Sequence, residues 1–149
     1  MKIRIKSILY SILVASLLFG VMTYAAATTT VEVYKSPTCG CCNQWVKHLE
    51  SEGFTVKTKN MRDMKSIKKE MGVNPQYQSC HTATVDDYFI EGHVSAFDIK
   101  TLLKDKPKIK GVSVPGMPMG SPGMEGHRKD KYNVIAIDKN NNASVYSKH

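Results

Sequence analysis

Three of the four cysteines of this chain fall within "YKSPTCGCCNQW", residues 34–45, as Cys39, Cys41 and Cys42, and the fourth, Cys80, stands in "YQSCHTA". Cys39 and Cys42 have the C-x-x-C spacing of thiol oxidoreductases. Four thiolates would also suffice for one tetrahedral zinc. Zinc sites, however, separate their cysteines by roughly two to four residues so that both face the ion. Adjacent Cys41 and Cys42 on a helix point about 100° apart. Two structural disulfides are the usual use of four cysteines in an exported chain, but a Cys39–Cys42 bridge closes too short a loop to constrain much. Cu(I) suits the pattern better. It is soft, prefers thiolate and thioether donors, and shares bridging thiolates at low coordination number, so crowding becomes useful.

Other donors lie downstream. Met117, Met119 and Met124 fall in "GVSVPGMPMGSPGMEGH", residues 111–127, which is rich in Gly and Pro and reads as no regular element. Met117 and Met119 are candidate thioether contacts, whereas Met64 and Met71, at helical spacing, read as core. His81 adjoins Cys80 and is a candidate ligand or proton carrier. His93, in "EGH", is a candidate neighbour of the site, and His127 follows the methionine loop. His48 lies two turns along the helix from Cys41, far for a ligand, and His149 reads as a free terminal residue.

The elements that must position these groups follow from periodicity. "VEVY" (31–34) alternates as a strand, and the "SPTCGC" turn leads into a helix from Cys41 to Glu52 with Cys42, Val46 and Leu49 on one face and Gly53 after it. The cysteines thus sit at a helix start, where unpaired N–H groups and the dipole favour thiolate. "FTVKT" (54–58) is a second strand. Asn60 is the expected cap of a helix carrying Met64, Ile67 and Met71, with Gly72 past its end. "TATV" and "YFI" flank Asp86–Asp87 as a hairpin, Ser95 and Asp98 form a capping box for a helix carrying Ile99, Leu102 and Leu103, and Pro107 closes that region. "YNVIAID" (132–138) and "ASVYS" (143–147) make a second hairpin across an Asn-rich turn. The expected class is α/β: a thioredoxin-like mixed sheet with flanking helices, plus the Gly/Pro/Met loop and a C-terminal β-hairpin.

The first residues read differently. Lys2, Arg4 and Lys6 precede an apolar run, and Ala25 and Ala27 are small residues before a cut, the layout of a secretory signal peptide over 1–27. The run is shorter than the ~20 residues of a span, which argues against a retained membrane anchor. Residues 28–149 are then one domain exported to the periplasm. The net charge of +8 falls to about +5 once the signal is removed. The lysines are scattered without aromatic partners, so nucleic acid is not an expected partner.

Three stretches occur in order: "SPTCGCC" with "QWVKHLE", "SCHTA" with "EGHV", and "GVSVPGMP" with "GSPGME". Together they resemble the CopG-like family of exported, thioredoxin-like copper-resistance and metal-binding proteins. The resemblance covers residues 31–147. It implies a periplasmic protein that binds a cysteine-bridged cluster of several copper ions and interconverts Cu(I) and Cu(II). Carried over by motif, the ligands are Cys39, Cys41, Cys42 and Cys80, with Met117 on the loop; periplasmic copper carriers or efflux components are the implied partners. Two positions depart from the family pattern: Ser95 stands where proline is frequent, and Asp87 where glycine is common.

Two function classes stay open. One is a copper-binding protein for resistance, whose centre either stores copper or works as a copper oxidoreductase. The other is a thiol–disulfide oxidoreductase using Cys39 and Cys42. Against the second, thioredoxins carry a cis-proline opposite the active cysteine, and "SCHTATV" puts a thiol and an imidazole there instead.

Overall fold

A computed structural model describes residues 28–149; the expected signal peptide, with its cut near Ala25 and Ala27, lies outside the described residues. The elements run β1 (Thr30–Lys35), α1 (Gly40–Ser51), β2 (Thr55–Asn60), α2 (Met64–Glu70), a 3-10 turn (Pro75–Tyr77), β3 (Thr82–Val85), β4 (Tyr88–Glu91), α3 (Ala96–Asp105), β5 (Ile109–Ser113), β6 (Asn133–Asp138) and β7 (Ala143–Lys148). The strands form one sheet in the order β2-β1-β3-β4-β5-β6-β7. β1 pairs in parallel with β2, and β4 with β5; the other neighbours are antiparallel. This is the expected mixed α/β sheet with flanking helices and C-terminal strands. Among the described residues no helix is long and apolar enough to cross a membrane.

β1 buries alternate residues, Val31 and Val33, as a strand against one packed face must. α1 buries Cys42, Trp45, Val46 and Leu49, a helical stripe that turns Cys42 inward and leaves Cys39 and Cys41 half-exposed. Leu49, Ile90, Ile99 and Leu102 are fully buried in the same core, each worth about 1.5–3 kcal/mol of transfer from water. The indole N–H of Trp45 donates to the Val94 carbonyl at 2.8 Å, tying α1 to the chain just past β4.

Three local expectations need correction. Asp63, not Asn60, caps α2, its Oδ1 accepting from Lys65 N at 3.0 Å and Ser66 N at 3.1 Å. Asn60 instead ends β2 and accepts from Lys35 Nζ at 3.1 Å. The buried residue of α2 is Lys68, while Met64, Ile67 and Met71 are half-buried. Finally, the stretch from Gly111 does begin as regular structure, because β5 extends to Ser113. A Cβ on Gly111 would lie 2.1 Å from the Phe89 carbonyl oxygen, so close parallel pairing with β4 requires glycine there and hides the strand's alternation.

The two departures from the family pattern are both accommodated. Ser95 caps α3, with Oγ accepting from Asp98 N at 3.1 Å. In the β3–β4 turn Asp86 carries the positive φ of 47°, so Asp87 needs no glycine-like conformation.

Candidate metal centre

The turn after β1 delivers the cysteines to the start of α1. The Ser36 carbonyl accepts from Cys39 N at 3.2 Å, and Cys39 is the N-cap, its Sγ accepting from Cys42 N at 3.3 Å. The buried Lys35 ammonium shares that Ser36 carbonyl, at 3.4 Å. The sulfurs of Cys39, Cys41, Cys42 and Cys80 all lie within 4.8 Å of one another, so the structure gathers all four cysteines singled out in the sequence. Cys39 and Cys42 are joined as a disulfide with a Cα–Cα distance of 5.3 Å. Cys41 and Cys80 are thiols, and Cys41 Sγ lies 3.5 Å from Cys39 Sγ.

Cys80 is delivered by the segment before β3. A buried charge network fixes that segment at both ends. The Glu91 carboxylate accepts from Ser79 N at 2.6 Å, Thr82 Oγ1 at 2.5 Å and Lys68 Nζ at 2.5 Å. Glu91 and Lys68 are both buried, so each charge depends on the other. Sequence reasoning missed this network, because a lysine on a short helix reads as a solvated side chain.

Two imidazoles face Cys80. His93 Nε2 is 3.0 Å from its Sγ and His81 Nδ1 is 3.3 Å away. His93 Nδ1 lies 2.7 Å from the Pro122 carbonyl, which can only accept, so Nδ1 carries the proton and Nε2 presents its lone pair to Cys80. Burial pushes the Cys80 thiol up to about 12, and the neighbouring Cys41 adds to the shift. At neutral pH Cys80 is therefore a thiol, a poor nucleophile but a ligand once a metal displaces its proton. Burial also lowers His93, and it lowers His81 far below the usual imidazole range with His93 contributing. His81 is fully buried, its ring 4.3 Å from that of Trp45.

The methionine loop packs onto this centre through its backbone. Pro122 supplies the carbonyl for His93, and Ser79 Oγ donates to the Gly116 carbonyl. Gly123 has φ +83°, and a Cβ on it would lie 2.7 Å from Trp45 N and 2.8 Å from the Cys41 carbonyl oxygen. Met117 is exposed beside Gly116, while Met119 and Met124 are half-buried, Met119 pairing its backbone with Asp130.

The remaining histidines have other uses. His48 Nε2 accepts from Ala96 N at 3.1 Å, at the start of α3, and His127 is exposed. His149 is not free: it stacks on Tyr132 and its Nε2 lies 2.9 Å from Asp98 Oδ2. Surface cavities of about 520 Å³ and 580 Å³ are lined by residues such as Lys69 and Pro75, or Tyr88 and Lys108, and include no cysteine.

Fold and site together define an α/β protein with a cysteine cluster able to hold metal. A family described as "Protein of unknown function, DUF411" matches residues 77–124. Two solved structures, "Copper resistance protein copG- Form 2" and "Copper resistance protein copG- Form 1", are each 42% identical to this chain, covering 82% of it and 98% of their own length, with TM-scores of 0.79 and 0.78. No curated protein sequence matches. The chain belongs to the CopG-like family.

Proposed function

We propose that this chain is a periplasmic copper-binding protein serving copper resistance, and that its centre holds several Cu(I) ions through bridging thiolates on a thioredoxin-like frame. The observation that carries the reading is the convergence of four cysteine sulfurs within 4.8 Å at a helix N-terminus. Soft sulfur donors fit Cu(I). The names of the two copper-resistance structures support the same reading. Reduction of the Cys39–Cys42 disulfide would complete the ligand set Cys39, Cys41, Cys42 and Cys80. Met117 and Met119 on the packed loop, and His81, are further contacts in this reading. Residues 1–27 act as an export signal, leaving the single domain 28–149. The copper is exchanged with periplasmic carriers or efflux components, and the centre interconverts Cu(I) and Cu(II) with external electron donors and acceptors.

Native mass spectrometry of the reduced chain, titrated anaerobically with Cu(I), tests this. A cooperative rise to several ions per chain is expected; uptake of one ion or none would overturn the multinuclear reading. Reversible voltammetry of the loaded protein tests the valence change.

A second reading has its own observation, the closed Cys39–Cys42 pair at C-x-x-C spacing. A thiol–disulfide oxidoreductase would reduce insulin disulfides at a useful rate without copper. Failure of the folded, copper-free protein in that assay removes it.

A further inference from the structure

Closure of the Cys39–Cys42 disulfide withdraws two sulfurs from the cluster but leaves a second donor set untouched. Cys80 Sγ, His81 Nδ1 and His93 Nε2 also lie within 4.8 Å of one another. We propose that Cys80, His81 and His93 form a mixed nitrogen–sulfur metal site that shares Cys80 with the sulfur cluster and holds one copper ion while the Cys39–Cys42 disulfide is closed.

Three observations carry this beyond proximity. First, His93 already has the arrangement of a metal-ligating histidine: one ring nitrogen donates to a backbone carbonyl and the other presents its lone pair to the site. Second, His81 is fully buried with Nδ1 toward Cys80, and its Nε2 meets no hydrogen-bond partner among the described residues. Its ring is held by packing against Trp45 and His93, which aims Nδ1 at Cys80; ligation there keeps the ring proton on the unpartnered Nε2, so His81 is the weaker of the two nitrogen ligands. Third, the chemistry differs from that of the cluster. Imidazole accepts copper in either valence, whereas an all-sulfur set selects Cu(I). A site joining the two through one sulfur offers copper a place on either side of a valence change.

The proposal rests on the copper reading above, and the test separates the two. The double variant Cys39→Ser/Cys42→Ser, and the parent with its disulfide closed, are titrated anaerobically with Cu(I) and followed by native mass spectrometry and copper-edge X-ray absorption. One ion per chain with nitrogen as well as sulfur scatterers is expected. Adding His93→Gln should weaken that ion's binding by at least tenfold. Should that variant fold poorly, His93→Gly with added imidazole should recover both the ion and the nitrogen signal. An ion bound equally well without His93, or a sulfur-only spectrum, would overturn the mixed site while leaving the cluster intact. A reduced parent chain that takes up no copper would instead overturn the copper reading itself.

Discussion

At the start of α1 the cysteines are held by local links: the Cys39–Cys42 disulfide, Cys39 N on the Ser36 carbonyl and Cys42 N on Cys39 Sγ. By contrast, Cys80 sits on a segment clamped by buried Glu91, Lys68 and Thr82 and faced by two buried imidazoles. The first region offers only sulfur and can pass between dithiol and disulfide within one helical turn. The second offers one sulfur and two nitrogens and is fixed by charges that cannot separate cheaply. In the function proposed above, the half that would change covalent state leans on a half that does not.

The comparison breaks most decisively at Cys80, the sulfur shared by the two donor sets. Cys80→Ser should lower Cu(I) uptake of the reduced chain to one ion or none, read by native mass spectrometry. Cys41→Ser should also reduce the number of ions bound, and unchanged stoichiometry there would sink the bridging role of the turn. On the clamped side, Glu91→Gln leaves the Lys68 ammonium buried without its counter-charge and should cost about 3–5 kcal/mol in urea unfolding. Gly123→Ala forces a Cβ onto the α1 backbone at a positive φ and should cost about 1–3 kcal/mol. The smallest effect concerns protons. Since Cys80 is held as a thiol to about 12, copper must displace its proton, so loading should acidify a weakly buffered solution and affinity should rise with pH. Loading without proton release would place Cys80 outside the ligand set.

How much of this was legible depended on whether the signal was local. The alternation of "VEVY" and the Asn-rich turn between β6 and β7 announce themselves, as does the C-G-C-C spacing. β5 does not, because Gly111 answers to the Phe89 backbone on another strand. His93 could be placed near the site from "EGH", but its contact with Cys80 is made across the β3–β4 hairpin, and its tautomer is set by Pro122, 29 residues further on. Lys68 was hidden for the same reason: its burial is decided by Glu91, 23 residues away. The cap of α2 was misjudged because Asn60 and Asp63 are both good caps, and strand pairing with β1 claims the first.

Lys35 gives the centre a property that donor atoms alone do not. Its ammonium is buried, its hydrogen-bond partners are the neutral oxygens of Asn60 and Ser36, and the Ser36 carbonyl is the one that also receives Cys39 N–H. A thiolate centre gains negative charge with each electron it accepts, and a fixed cation in a poorly screened position lowers the energy of the more negative state. In the copper reading proposed above, the field of Lys35 would raise the reduction potential at the start of α1 and bias a copper ion held there toward keeping its electron.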